Sequence, residues 1–400
     1  MYRSLPAGVY WLALAKFLMM GGNFVYQFLA LFLTKKVGIT EEAAGLLFAA
    51  STAVSYLASI VGGFCADHFG RRRVFFISLL ANATLFLIVP VLPSALVGAI
   101  VAVVSIGVIS AAEPAINSLL SDCTAPEQRK AAFSLVYMGA NLGLAVGPLA
   151  GGFLFTANPK YIFLADGLVT LVAALTVLGM PSTYVARRDR QPARGEPVPG
   201  FVAAIRNNPR VPLFCLLFVA HAFVYSQTTF SFPLLLDKRF GESGPLLYGA
   251  FMTGNGIAVI VLTPILITLT RHASALRCVA AGIALYAAGF GLYGVAGSLW
   301  FLVLSVGIWS AGEILATTNA KVFVASQSAP AHRGRFNTLL DMSFETGFGL
   351  GPGVAGKVIV AYGIAAVWPV MAVVAAAGSL GILALGRSSR APERARETCP

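Results

Sequence analysis

Charged side chains are scarce in this chain. Asp, Glu, Lys and Arg together make up 11% of its 400 residues, and 58% of the residues are hydrophobic. Soluble domains carry about 25% charged residues, so this composition excludes an ordinary soluble fold. The apolar residues are gathered in runs of about 20, the length that crosses a hydrocarbon core of about 30 Å. The composition therefore predicts a polytopic membrane protein.

Cysteine and histidine are also few. The five cysteines show neither CxxC pairing nor the spacing of a metal site, and the four histidines are scattered. The one glycine-rich match to a nucleotide-binding loop, GANLGLAVG, lies inside an apolar run rather than after a strand. We therefore expect no metal, no cofactor and no enzymatic activity.

Twelve nearly uncharged runs are long enough to span a bilayer. Such runs must be helices, because lipid cannot satisfy an open strand edge and the runs are too uniformly apolar for barrel strands. The predicted fold is an all-α polytopic membrane protein of twelve transmembrane helices in two six-helix bundles. Spans 1 to 12 lie at residues 8–33, 43–65, 74–92, 95–121, 130–156, 160–180, 210–236, 245–270, 275–296, 299–324, 335–361 and 364–386.

The chain has a net charge of +12, and its basic residues cluster in every second loop between the predicted spans. Twenty of them fall in loops on one side of the predicted membrane, as Arg71–Arg73 do, against five on the other side. By the positive-inside rule both termini are cytoplasmic, which fits the plasma (inner) membrane. The same placement argues against a nucleic-acid partner, because the positive charge is explained by topology.

The longest polar interruption, rich in Pro and Arg, divides the twelve spans into six plus six. The predicted organisation is an N-terminal six-helix bundle, a cytoplasmic linker, a C-terminal six-helix bundle and a cytoplasmic tail, at residues 1–183, 184–209, 210–388 and 389–400.

An internal repeat relates the two halves. The segment that begins at Pro126 aligns without gaps with the one that begins at Pro330. In this alignment four glycine or proline residues of span 5 are matched by the same residue type in span 11. A second echo joins SAAE, which ends at Glu113, to SAGE, which ends at Glu313. Two parallel six-helix halves are a known transporter architecture.

Two motifs carry a resemblance to a known family. The loop between spans 2 and 3 reads GFCADHFGRR from Gly63, which is similar to the G-x-L-A-D-R-x-G-R-K signature of the major facilitator superfamily. Span 5 resembles the glycine-rich signature of its twelve-helix drug:proton antiporters, at Gly139, Gly143, Gly147, Pro148, Gly151 and Gly152. Glycine at every fourth position makes a flat face for close helix packing, and such a face also serves as a sliding surface. The resemblance implies alternating access between the two halves.

The loop motif has two interpretations. Gly63 permits close helix approach, Gly70 a tight turn, and Arg71 an ion pair with Asp122, while Asp67 faces a neighbouring arginine or a helix N-terminus. Under the first interpretation these residues form a cytoplasmic gate, a latch that closes that side in the outward-open state. Under the second, the arginines only fix topology.

Span 4 departs from the antiporter pattern. Val103 stands where many drug:proton antiporters carry an arginine four residues before a glycine, here Gly107. The arginine-based part of proton coupling therefore lacks its usual residue.

Acids inside the bilayer are the candidates for proton coupling or substrate recognition, because a buried charge is costly enough to imply function. Glu313 lies roughly 16 Å from the nearer end of span 10, and Glu113, its repeat partner, about 12 Å from the cytoplasmic end of span 4. A structural pair with Lys16 or Lys321 is the alternative for either acid.

Three further acids lie within the spans. Asp341 and Glu345 share one face of span 11 and are second-rank coupling candidates. Asp166, near the outer start of span 6, is expected at the membrane interface, with a coupling role as the alternative.

In the family that this chain resembles, spans 1 and 7 line the cavity. The resemblance therefore implies as cavity residues Asn23, Tyr26, Gln27, His221, Tyr225 and Gln227.

The expected function is a secondary active transporter that exports amphipathic or cationic small molecules in exchange for protons. One alternative is a facilitator or proton symporter for a specific metabolite. A different class is a non-transporting membrane sensor or lipid-handling protein on the same scaffold. The expected partners are a small-molecule substrate, protons and membrane lipid, and we expect a monomer.

Overall fold

The computed structural model describes residues 5–125, 127–181, 205–206, 208–295, 297–328 and 333–387. The regular structure of these residues is helical, which confirms the predicted all-α polytopic fold. The helices of the first half are α1 (Ala7–Gly21), α2 (Phe24–Leu31), α3 (Glu41–Phe69), α4 (Arg71–Ile88), α5 (Ala95–Ser110), α6 (Ala112–Asp122), α7 (Arg129–Ala157) and α8 (Tyr161–Gly179). Those of the second half are α9 (Arg210–Tyr225), α10 (Ser231–Phe240), α11 (Gly244–Leu269), α12 (Ala275–Val295), α13 (Leu299–Gln327), α14 (Arg333–Tyr362) and α15 (Val367–Arg387).

Ten segments of the described chain are long and apolar enough to cross a membrane. One of them, Arg210–Leu269, is 60 residues long and contains both span 7 and span 8. The 30-residue helix α14 falls outside this set, because charged residues such as Asp341 and Glu345 lower its hydropathy. The described helices therefore account for the twelve predicted spans, with α14 as span 11.

Helix starts follow local sequence signals. The Thr40 hydroxyl accepts the Ala43 N–H at 3.2 Å before α3, and the Ser94 hydroxyl accepts the Val97 N–H at 3.2 Å before α5. Each satisfies a backbone donor that has no partner within the helix. Neutral hydroxyl groups are therefore sufficient N-caps in this chain.

Three spans are interrupted within the residues that the structure describes. Span 1 breaks at Gly22 and Asn23, between α1 and α2. Span 4 breaks at Ala111, between α5 and α6, and span 7 breaks after Tyr225, where α9 ends. These breaks bring polar backbone groups to membrane depth, where each needs a partner.

By their contacts the described residues form two compact units, which fall within Met1–Ala193 with Thr229–Gly256, and within Arg194–Thr228 with Ile257–Pro400. In the first unit, Lys35 pairs with Asp237 and the Phe28 ring meets Tyr248 edge-on at 5.2 Å. Residues 229–256 thus pack with the N-terminal helices. The predicted boundaries stay predictions, since most of the linker and the tail lie outside the described residues.

Candidate functional site

In the first unit, Glu113 sits in the first turn of α6, directly after the break in span 4. Pro114 follows it and has no N–H to give to the Ser110 carbonyl, which explains why the helix is interrupted there. Lys16 on α1 forms an ion pair with Glu113, with the side chains 14% and 42% exposed respectively. The acid is therefore neutralised by a cation from span 1, one of the alternatives that the sequence left open.

In the second unit, Glu313 lies at the midpoint of α13, which is continuous. The Tyr225 hydroxyl, at the end of α9, donates a hydrogen bond to the Glu313 carboxylate at 3.1 Å. Gly312 allows α12 to approach closely, because a Cβ there would lie 2.8 Å from the Tyr286 ring. Glu313 is half-buried between these helices.

Aromatic rings surround the Tyr225–Glu313 pair. The His221 ring lies 4.9 Å from Tyr286 with the planes 17° apart, and 6.2 Å from Tyr225 with the planes 8° apart. Neither nitrogen of His221 has a hydrogen-bond partner among the described residues, so His221 packs here as an aromatic ring. We call this the aromatic cluster; its members are Phe218, His221, Tyr225, Tyr286, Trp309, Phe344 and Phe348.

The loop between α3 and α4 is organised by Arg71. Its guanidinium pairs with Asp122 at the end of α6, lies 3.8 Å from Asp67, and donates to the Ser118 carbonyl at 3.3 Å. Gly70 has a φ of 95°, a region that favours glycine, so it makes the tight turn. The predicted Arg71–Asp122 pair is present, and the gating role stays a prediction.

Two further features, one in this loop and one directly after α6, were missed from the sequence. Arg72 donates to the carbonyls of Val177 and Leu178 at 3.1 and 2.7 Å, at the C-terminal end of α8. A cation is favourable there because the last carbonyls of a helix lack partners. Burial, with a smaller contribution from neighbouring Asp122, raises the pKa of the Cys123 thiol, so this cysteine stays protonated and unreactive.

The close helix approach predicted at Gly63 occurs one residue earlier. A Cβ on Gly62 would lie 2.6 Å from the Ala111 Cα, whereas one on Gly63 would lie at an ordinary 3.9 Å from Pro114. The helix rotation decides which of two adjacent glycines faces the neighbouring helix. Gly62 therefore packs against the break in span 4.

The glycines of span 5 form one packing face. A Cβ on Gly139 would lie 2.7 Å from the Ala13 carbonyl oxygen, and one on Gly143 would lie 2.6 Å from the Gly21 nitrogen. A Cβ on Gly147 would lie 2.5 Å from the carbonyl oxygen of the same Gly21. This face holds α7 against α1, as the four-residue spacing predicts.

The second part of the span 5 motif meets other elements of the first unit. A Cβ on Gly151 would lie 2.7 Å from the Phe28 ring, and one on Gly152 would lie 2.9 Å from the Pro245 carbonyl oxygen. The helix continues through Pro148. The motif thus packs on two sides of α7.

The same packing recurs in the second unit. A Cβ on Gly347 of α14 would lie 2.9 Å from the Phe223 nitrogen, and one on Gly351 would lie 2.5 Å from the Phe223 carbonyl oxygen. These glycines are the repeat partners of Gly143 and Gly147, so span 11 packs on span 7 as span 5 packs on span 1. The internal repeat is therefore visible in the packing within each unit.

The predicted cavity residues differ in exposure. Tyr26 and Asn23 are partly exposed, and so is Tyr225. The other three are buried, with His221 and Gln227 at 0% and Gln27 at 6% exposure, and the Gln227 amide donates to its own helix at the Phe223 carbonyl. A substrate would reach these three only after rearrangement.

The acids of span 11 differ from Glu313 in exposure. Asp341 and Glu345 are both exposed on α14. Lys321 of α13 lies close enough to Asp341 to act on it electrostatically. Among the described residues, no group of three or more His, Cys, Asp or Glu side chains is placed to hold a metal ion.

Asp166, which the sequence predicts at the membrane interface, is buried within the protein. It is 4% exposed, and its carboxylate accepts the Val25 N–H at 3.0 Å, at the start of α2. In the sequence, Gly22 and Asn23 indicate a break in span 1. Only the packing of α8 on span 1 shows which side chain accepts a backbone N–H at that break.

Comparisons with known proteins agree with this fold. The model of the Major Facilitator Superfamily matches residues 12–313. The uncharacterized MFS-type transporter YqjV of Bacillus subtilis is 27% identical over 84% of this chain and 82% of its own length. The multidrug resistance protein MdtH of Aeromonas hydrophila is 23% identical over 84% and 83%. The crystal structure of a POT family transporter in complex with 5-aminolevulinic acid superposes with a TM-score of 0.78 at 16% identity, covering 97% and 98% of the two chains. The chain therefore belongs to the Major Facilitator Superfamily and is a membrane transporter.

Proposed function

We propose that this transporter is a proton-coupled exporter of amphipathic or cationic small molecules. The observation that carries the proposal is the Glu313 carboxylate at the midpoint of α13, with the Tyr225 hydroxyl at 3.1 Å and the aromatic cluster around the pair. An ionisable group at this depth is costly to keep, which favours a functional role.

The chemistry of the cluster suits both halves of the exchange. A carboxylate binds a proton on one side of the membrane and releases it on the other, and the Tyr225 hydroxyl stabilises its ionised form. The Tyr225 ring is partly exposed, and an aromatic face attracts a cation by about 0.5–2 kcal/mol per favourable contact. A lipophilic cation and a proton would thus compete for Glu313, which is the condition for exchange.

The first unit supports the same mechanism differently. Lys16 neutralises Glu113, so this pair adds no net charge to the membrane-spanning part of the first unit. The Arg71–Asp122 latch acts as the gate on the arginine-rich side, which we place in the cytoplasm together with both termini. We further propose that the transporter works in the plasma membrane as a monomer, with lipid as its surroundings.

The direct test is transport by the purified protein in liposomes that hold a pH-sensitive dye. Lipophilic cations of graded size are added to wild type and to Glu313→Gln. The matched control is Glu113→Gln, the same change at the equivalent position of the first half. Melting temperatures of all three proteins control for folding.

We expect wild type to move protons when a substrate cation is added. We expect Glu313→Gln to lose this movement and Glu113→Gln to keep a larger part of it. Substrate flux without proton flux in wild type would overturn antiport and favour the facilitator.

A further inference from the structure

The break in span 1 is closed by a carboxylate from another helix. Asn23 has φ −73° and ψ 55°, outside the helical range, and α2 begins at the next residue. A helix that begins inside a membrane presents N–H groups that have no partner within the helix. The Asp166 carboxylate accepts one of them, from Val25, at 3.0 Å. Because a Cβ on Gly22 would lie 2.7 Å from Val169, α8 meets span 1 directly at this break.

The surroundings of Asp166 contain no counter-charge. The residue is 4% exposed, and the Thr170 hydroxyl lies 3.4 Å from its second oxygen. Among the described residues no lysine or arginine forms an ion pair with it. The carboxylate is thus held by neutral donors alone.

The ionisable groups of the neighbouring helices have other positions or partners. Helices α1, α2, α4 and α7 pack against α8. On α1, Lys16 pairs with Glu113. The arginines that open α4 include Arg71, paired with Asp122, and Arg72, bonded to the far end of α8. The remaining ionisable residues on these helices are the basic pair that opens α7 and the tyrosines of α1, α2 and α7.

A neutral acceptor would be sufficient for the N–H groups at this helix start. The hydroxyl groups of Thr40 and Ser94 cap α3 and α5 as neutral acceptors. At the break in span 7, the hydroxyls of Ser226 and Thr228 donate to the carbonyls of Phe223 and Tyr225 at 2.7 and 2.8 Å. Among the described residues, neutral hydroxyl groups thus serve two other helix starts and the break in span 7, whereas the break in span 1 uses a buried carboxylate.

We propose that Asp166 is a second proton-binding site of this transporter, and that its proton loosens the start of α2. Two opposing effects act on the carboxyl group. The N–H donor and the helix N-terminus favour the anion, and burial without a counter-cation favours the neutral acid. When a proton binds to the carboxylate, the group becomes a weaker acceptor for the Val25 N–H. The half-helix that carries Tyr26 and Gln27 then loses part of its anchor.

The role in transport rests on the proposed proton coupling, but proton binding itself is tested without substrate. Infrared difference spectra between high and low pH report the C=O stretch of protonated carboxyl groups in purified protein in lipid nanodiscs. Asp166→Asn keeps a carbonyl oxygen for the Val25 N–H and removes the titrating group. Glu313→Gln is the matched variant at the other acid, and Thr170→Val removes only the hydroxyl beside Asp166.

We expect Asp166→Asn to lose a carboxyl band that Glu313→Gln retains, and Thr170→Val to shift the frequency of that band. Melting temperatures show whether each variant is folded. If folded Asp166→Asn keeps every pH-dependent carboxyl band of wild type, Asp166 is a fixed structural cap and the proposal fails.

A second measurement separates this inference from the proposed function. Proton and substrate fluxes are measured together in liposomes. We expect Asp166→Asn to lower the number of protons moved per substrate while substrate still moves. An unchanged ratio would overturn the second site, whereas a normal flux in Glu313→Gln would overturn the proposed role of Glu313 and leave the infrared result for Asp166 intact.

Discussion

Glu113 and Glu313 occupy equivalent positions of the internal repeat but have different partners. Glu113 pairs with Lys16, whereas Glu313 accepts a hydrogen bond from Tyr225 inside the aromatic cluster. The first acid thus meets a formal positive charge, and the second meets a neutral hydroxyl donor among aromatic rings. Duplication thus preserved the acid, and the partner decides its chemistry.

The difference has local causes in the sequence. Pro114 follows Glu113 and interrupts span 4, whereas Ile314 follows Glu313 and leaves α13 continuous. The packing of span 5 on span 1 and of span 11 on span 7 places Phe218 where the first unit has Lys16. The second unit therefore offers an aromatic ring at the position from which the first offers a cation.

Removal of Lys16 is expected to have the largest effect on this comparison. Lys16→Met leaves Glu113 without its cation, which we expect to lower the free energy of unfolding by about 1–3 kcal/mol, less than for a fully buried pair because Glu113 is 42% exposed. Melting temperatures in detergent measure the loss. The double variant Lys16→Met with Glu113→Gln should recover most of it. A double variant as unstable as Lys16→Met alone would show that Lys16 stabilises something other than Glu113.

Loss of the Tyr225 hydroxyl should have a smaller effect, and on transport rather than folding. Tyr225→Phe removes a hydrogen bond to a charged group, worth about 1.5 kcal/mol or more, so we expect about a tenfold loss of proton-coupled transport. The ring stacking on His221 and Tyr286 remains, so the melting temperature should change little. Transport at the wild-type rate would mean that the Tyr225–Glu313 bond is not used in the cycle.

The smallest effect is expected when the proline after Glu113 is replaced by isoleucine, the residue type that follows Glu313. Pro114→Ile restores a backbone N–H that can bond to the Ser110 carbonyl, which would join α5 to α6. We expect the free energy of unfolding to change by about 1 kcal/mol or less, since proline is tolerated in the first turn of a helix. Helicity and melting temperature measure the change. A large destabilisation would show that the break itself is needed for the fit of Gly62 against Ala111.

Much of the fold could be predicted from the sequence, because the length of an apolar run does not depend on what it packs against. The twelve spans were predicted in this way. The turn at Gly70 and the packing face of Gly139, Gly143 and Gly147 were predicted from the positions of the glycines. The repeat also pointed to equivalent contacts, which Gly347 and Gly351 make on Phe223.

The site was less accessible from the sequence. The choice between Gly62 and Gly63 depends on the rotation of α3 about its axis, which one sequence does not show. The sequence predicted an interfacial position for Asp166 but did not indicate that its carboxylate accepts the Val25 N–H at the start of α2. Tyr286 and Trp309 carried no signal that separated them from ordinary core residues.

The sequence by itself determined the all-α membrane fold, its two related halves and the presence of costly acids within the bilayer. The reason is that transfer of each run into lipid, and the cost of each charge, are local properties of the chain. Only the tertiary structure decided the partners of these acids. Lys16 is 97 residues from Glu113, and Tyr225 is 88 residues from Glu313, so helix packing alone brings each pair together and sets which acid meets a lysine and which a tyrosine.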